Sequence, residues 1–206
     1  LDTVDSVITR TVDWIDSTEL LAPVVPWQVF YLWLGPPHPT YIENGQFKKI
    51  GLLESEEEYE LPEPIGKQKV YTFAQDPDIV LLNRFSGKPI RHVEAKVAIC
   101  MGGLSMKDVW IKAISEQTSK HTGTENMFEL FGQSLKITTD FKQLCDEGKL
   151  RDGALGCAQE VTGTKDGVPV RHTAYCVTTL DEAMKHLPWA GHQVYGTVGG
   201  IVIELI

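Results

Sequence analysis

Ile90-Arg91-His92-Val93-Glu94-Ala95-Lys96-Val97-Ala98-Ile99-Cys100 is the stretch that decides the fold of this chain. Side chains alternate across a pleated strand. Ile90, His92, Glu94 and Lys96 therefore fall on one face, and Arg91, Val93, Ala95, Val97 and Ile99 on the other. One face is apolar and the other carries charge. Such a strand belongs to a sheet with one face on a core and the other on water or on a site. The charged face has two readings. His92, Glu94 and Lys96 could form a proton-transfer cluster in a cleft, or an exposed ladder of ion pairs.

Upstream, residues 3–12 alternate in part and are rich in β-branched side chains, which predicts another strand. Pro23 and Pro26 break the chain, and Pro26 suits the first position of a helix over 27–34. Gly35-Pro36-Pro37-His38-Pro39 stops that helix. Asn44-Gly45 predicts a two-residue hairpin turn between strands at 40–43 and 46–53. Residues 54–60, with Glu54, Glu56, Glu57, Glu58 and Glu60, read as a solvated acidic loop. A strand follows at 69–73. Asp76-Pro77 then opens a short helix that Gly87 and Pro89 end.

Downstream, Ser105-x-x-Asp108 resembles a capping box, and Leu104 with Val109 could staple it. Helical spacing continues through Met106, Val109, Trp110, Ala113 and Ile114, and again over 125–144. Strands at 154–162 and 168–178 flank Lys165-Asp166-Gly167, the signature of a long hairpin. Residues 181–187 read as a short helix. The apolar tail 194–206 reads as a strand whose chain continues beyond it. The fold class expected is α+β: a mixed, largely antiparallel sheet with helices on one face, in a single domain.

The 206 residues are 42% hydrophobic and 23% charged, ordinary for a globular protein. A net charge of -9 opposes nonspecific binding to nucleic acid or to anionic membranes. Cys100, Cys145, Cys157 and Cys176 show neither C-x-x-C nor zinc-ligand spacing, so they read as thiols of a reducing compartment. With no signal peptide and no long apolar run, a cytoplasmic location is the expectation. No G-x-G-x-x-G, G-x-x-x-x-G-K-[ST], Gly-x-Ser-x-Gly or His-Glu-x-x-His occurs. The chain is thus expected to bind no dinucleotide by itself.

Four segments carry a resemblance. They are Pro26-Trp27-Gln28, Pro39-Thr40-Tyr41-Ile42-Glu43-Asn44-Gly45-Gln46, Pro62-Glu63-Pro64-Ile65-Gly66, and Lys69-Val70-Tyr71-Thr72-Phe73 with Leu81-Leu82-Asn83-Arg84. In this order they resemble the saccharopine dehydrogenase family, which includes saccharopine reductase and the carboxynorspermidine dehydrogenases. The hairpin arm Val170-Arg171-His172-Thr173 is similar to theirs as well. The likeness is diffuse and spans most of the chain. It departs at Trp27-Gln28, where the family more often has Ser and Pro after Trp. The resemblance implies the substrate-binding and dimerisation domain of an NAD- or NADP-dependent oxidoreductase, without its Rossmann domain. It also implies a homodimer and an amino-acid-like substrate, a secondary amine or imine. A non-enzymatic binding or dimerisation module is the alternative.

Within that reading, Trp27, Gln28, Tyr31 and Arg84 are the candidate substrate-binding residues. Trp27, Tyr31 and Trp33 form an aromatic wall of a pocket or a packed core. Gln28 would add a polar contact. Arg84 either grips a substrate carboxylate through two parallel hydrogen bonds or neutralises a helix dipole. Arg171 and His172 lie in the second arm of the long hairpin and point to opposite faces, His192 and Tyr195 precede the apolar tail, and the lone histidines read as structural. No metal or cofactor ligand set is expected in this chain.

Overall fold

The computed structural model describes residues 1–18, 40–51, 53–72, 82, 86–109, 111 and 143–182. Their strands are β1 (Thr3–Ile15), β2 (Thr40–Glu43), β3 (Gln46–Lys49), β4 (Glu57–Glu60), β5 (Lys67–Thr72), β6 (Ile90–Met101), β7 (Gly153–Lys165) and β8 (Val168–Thr179). The main path across the sheet is β3-β2-β6-β1-β7-β8, with β5 also paired to β6 and β4 to β5. β1 and β6 run parallel. The other strand pairs are antiparallel. The mixed, largely antiparallel sheet expected from sequence is present.

The helical half of the α+β expectation is not carried by the described residues. They are mostly strand, with helical residues at 82, 106–109, 111, 143–146 and 180–182. The helix at 27–34, nearly all of the one opened by Asp76, most of 125–144 and the tail 194–206 lie outside them. The capping box is formed: the Ser105 amide donates to Asp108 Oδ2 at 3.1 Å, and the Asp108 amide donates to Ser105 Oγ at 3.3 Å.

β1 sits at the centre because β-branched residues recur along its whole length, which suits a strand covered on both faces. Asp5 is an extra residue relative to β7, since Val4 pairs with Gly163 and Ser6 with Thr162. That bulge turns Val4 onto the same face as Val7. Val4, Val7, Val93, Ile42, Leu82 and Val161 then form one apolar cluster. At the other end of the same face, Ile15, Met101, Val109, Leu150, Leu155 and Leu180 form a second.

The opposite face is covered by the loop between β4 and β5. Leu61 and Ile65 pack on Val12, Ala98, Ala154 and Ala158. Gly156 makes this possible. A methyl group there would collide with the Ile65 side chain and lie 3.0 Å from Leu61 Cδ1. Both tight turns follow the sequence reading. Asn44 and Gly45 have φ of 52° and 72°, and Asp166 and Gly167 have 52° and 74°, the positive pairs that two-residue hairpins require.

One expectation is overturned. Residues 57–60 are not a solvated loop but strand β4, with Glu57 opposite Val70, Glu58 opposite Lys69 and Glu60 opposite Lys67. The lysines of β5 supply the reason. Lys67 pairs with Glu58, and Lys69 with Glu56 at 2.7 Å. Cross-strand opposite charges favour pairing where an isolated acidic run would resist it.

Candidate functional site

β6 places His92, Glu94 and Lys96 on one face, as its alternation predicts, and the parallel register sets Ser6, Ile8 and Arg10 of β1 beside them. Two further strands converge on the same outer edge of β6. β2 brings Glu43 opposite His92, and β5 brings Thr72 opposite Lys96. β4, folded over the face, adds Glu57. The result is one chain of polar contacts through five strands.

His92 stands at one end. Its Nδ1 lies 2.7 Å from Glu43 Oε2 and its Nε2 3.2 Å from Glu94 Oε2. The Thr72 hydroxyl donates to the other oxygen of Glu94. Lys96 Nζ lies 3.9 Å from Glu94 and 2.9 Å from Glu57. It also donates to the Ser55 carbonyl at 3.3 Å. Glu57 Oε1 accepts from Arg10 Nε at 3.1 Å and from Arg10 Nη2 at 2.8 Å. The Arg10 guanidinium packs 4.3 Å from the centre of the Tyr59 ring, a cation–π contact. Tyr59 in turn donates to the Tyr175 hydroxyl of β8 at 3.4 Å.

The electrostatics follow from burial and pairing. Burial alone would raise the Glu57 carboxyl, but the hydrogen bonds from Arg10 and Lys96 outweigh it and hold it below the usual range. Burial likewise opposes ionisation of Glu94, and the bonds from His92 and Thr72 overcome it. The bond to Glu94, against the opposing effect of burial, together with the bond to Glu43, raises the His92 pKa. Arg10 is only 4% exposed, yet its Nη1 is buried without a hydrogen-bond partner. On the far face Gln159, donating to Thr9 at 3.3 Å, leaves its Oε1 similarly unpaired.

Chemically, this arrangement offers fixed cations, three carboxylates and an imidazole at a partly open rim. It can hold and move a proton, and its positive groups match carboxylate geometry. The readings of cleft cluster and ion-pair ladder converge here, because the cluster is paired within itself but is not a surface ladder: the Lys96 and Glu94 side chains are 10% and 11% exposed. A cleft of about 260 Å³ opens farther along the same face, beside Trp14, Cys100, Lys67 and Lys69. The apolar layer of Val12 and Ala98 with Leu61 and Ile65 separates it from the polar chain. Burial, aided by Asp13, pushes the Cys100 thiol up to about 12, so it is no thiolate nucleophile near neutral pH.

Of the residues singled out from sequence, His92, Glu94 and Lys96 are brought together. Trp27, Gln28, Tyr31 and Arg84, and also His192 and Tyr195, lie outside the described residues. Arg171 bonds to Glu160 at 3.1 Å from the opposite edge of the sheet, and His172 points to the other face. Sequence reading missed Arg10, Glu43, Glu57 and Thr72. Arg10 did carry a signal: a guanidinium between Ile8 and Val12 on one face of a β-branched strand demands a buried acid. No group of three or more His, Cys, Asp or Glu able to hold a metal occurs among the described residues. Nor, among them, is any helix long and apolar enough to cross a membrane. No family model matches the chain, and no curated protein matches it.

Proposed function

We propose that this chain is the substrate-binding and dimerisation domain of a saccharopine dehydrogenase-like oxidoreductase. The complete enzyme would pass a hydride between NAD or NADP and a secondary amine or imine joining two amino-acid-like pieces. The nicotinamide cofactor supplies that chemistry, and this domain orients the substrate. The observation that supports the reading best is the half-buried charged face that β6 shares with β1, where Arg10 and Lys96 meet at Glu57 and Lys96 and the imidazole of His92 both approach Glu94. Zwitterionic substrates with several carboxylates need fixed cations of this kind. The full α+β architecture, with helices on one face, belongs to the same proposal. Leu82, Val109 and Leu180 favour it, since these helical residues pack on the face opposite the charges, whereas Met106, in the same turn as Val109, packs in the cluster on the charged side. A cytoplasmic homodimer completes the picture.

The test is turnover by the full-length gene product. NADH and NADPH are offered with carboxylated imines, and the oxidised cofactors with the corresponding secondary amines, while nicotinamide absorbance is followed. Turnover with one such pair is expected. Arg84→Ala should then raise KM steeply, by the equivalent of about 2–5 kcal/mol, with the domain still folded. Absence of turnover with any pair, together with no substrate binding by calorimetry, overturns the reading. A non-enzymatic binding or dimerisation module is the second reading. The pairing of the charged groups among themselves favours it, because a cluster that satisfies itself holds strands together without a ligand. Light scattering then shows a dimer, and no substrate binds.

A further inference from the structure

We propose that His92 holds a proton between Glu43 and Glu94 and thereby latches the β2–β3 hairpin to the sheet, a latch that opens as rising pH removes that proton. The inference rests on hydrogen-bond inventory and does not depend on the enzymatic reading. Both ring nitrogens of His92 face carboxylate oxygens, at 2.7 Å and 3.2 Å. An ionised carboxylate only accepts, and a neutral imidazole has one N–H. A neutral ring would therefore turn a lone pair toward one of the glutamates. Protonated, it donates to both. The other groups around it leave the proton on the ring. Glu94 is already engaged by the Thr72 hydroxyl and lies 3.9 Å from the Lys96 ammonium, both of which keep it ionised. From β2, Tyr41 contributes a tilted ring contact at 5.6 Å, and β1 sets the uncharged Ser6 and Ile8 alongside.

The latch matters because, among the described residues, the other ties of this hairpin to the sheet are the burial of Ile42 and a short backbone pairing. β2 pairs with β6 at Ile42–Val93 and Glu43–His92, reinforced by the Asn44 amide donating to the Arg91 carbonyl at 2.6 Å. β3 is exposed along its length. Glu43 is thus the acid at the end of β2, and His92 is the residue that ties it to Glu94 on the neighbouring strand. A His pKa raised by pairing contributes stability that is complete below the unfolded value and lost as pH rises through the folded one.

Nuclear magnetic resonance of the full chain tests this through the His92 ring nitrogens and the exchange of the Asn44 amide. Both nitrogens should be protonated at pH 6, with an apparent pKa above the ordinary 6.5. As pH rises through that pKa, protection of the Asn44 amide should fall relative to the β1–β7 amides. The fall should be about tenfold for each unit by which the pKa is raised. Glu43→Gln should lower the His92 pKa and move the opening to lower pH. His92→Gln should remove the pH dependence. A His92 pKa at or below 6.5, or Asn44 protection that does not change through the titration, overturns the proposal. Should His92→Gln fail to fold, the wild-type chain and Glu43→Gln decide the matter.

Discussion

Two hairpins share the outer edge of β6 and are fastened to it by different physics. β2–β3 takes its N-terminal half, through Ile42–Val93 and Glu43–His92. β4–β5 takes its C-terminal half, through Tyr71–Val97 and Thr72–Lys96. The backbone pairing is equally short in the two cases. The side chains differ. β4–β5 drives Leu61, Ile65, Val70 and Tyr71 into the core and ties Glu57 to Arg10 and Lys96. β2–β3 buries Ile42 and relies on the contacts of a histidine with two glutamates. Strand pairing alone therefore says little about how firmly an element is held. Burial and the protonation of one ring set the difference.

The largest effect should come from the apolar plug. Leu61 is 3% exposed and wedged against Val12 and the Gly156 backbone. Leu61→Ala should cost about 3 kcal/mol through lost transfer energy and a residual cavity. Urea unfolding should show a lower midpoint at unchanged slope. A loss under about 1 kcal/mol would mean that β4–β5 is held no better than its neighbour.

Next comes the ion pair beneath it. Glu57→Gln removes the counter-charge of a guanidinium that water cannot reach, at a cost of about 2 kcal/mol, moderated by the partial exposure of Glu57 itself. Arg10→Met with Glu57→Leu should recover part of that loss, because an apolar pair needs no charge compensation. If the double variant is as unstable as Glu57→Gln alone, the desolvated-charge argument fails.

Acidity separates the two hairpins without mutation. Glu57 and Glu94 are held below their ordinary 4.5, so their contribution is complete above that value and fades as pH falls through the lowered ones. His92 is raised above 6.5, so its contribution is complete below 6.5 and fades as pH rises through the raised one. Stability from this network should therefore plateau between roughly pH 5 and 6.5. On the acid side both hairpins should loosen, β4–β5 through Glu57 and β2–β3 through the loss of Glu94 as an acceptor for His92, and on the alkaline side β2–β3 alone. Thermal melts across pH 3–9, with hydrogen exchange to assign the segment, check both limbs. Loosening of β4–β5 on the alkaline limb would contradict it.

Much of this architecture was legible because its signals are local. Asn44-Gly45 and Asp166-Gly167 declare their turns, β6 declares its two faces, and Ser105 with Asp108 declares a cap. What was illegible is non-local. β4 looked like solvated acid because the lysines that pair it lie beyond Pro62 and Pro64. The Arg10–Glu57 bond spans 47 residues and rests on the parallel alignment of β1 with β6, which no spacing in the chain encodes. Half of the candidate site, His92 with its neighbours, followed from period-two alternation. Its partners on β1, β2, β4 and β5 needed the strand order. Trp27, Gln28, Tyr31 and Arg84 lie outside the described residues, so the pocket they would line stands on sequence alone.

The smallest effect expected is at the rim of the looser hairpin. Phe47 lies opposite Ile42 in the β2–β3 ladder, yet it is 53% exposed while Ile42 is fully buried. Half of its ring already faces water, so replacing it forfeits only a partial cross-strand contact. Phe47→Ser should cost about 0.5 kcal/mol, within the range of ordinary surface substitutions. The same unfolding assay that registers Leu61→Ala should place it close to the wild type. A cost above about 2 kcal/mol, the range of buried side chains, would show that something covers Phe47 in solution. The outer strand would then be a contact surface in its own right, and a dimer that dissociates on Phe47→Ser would identify a second copy of this chain as what covers it.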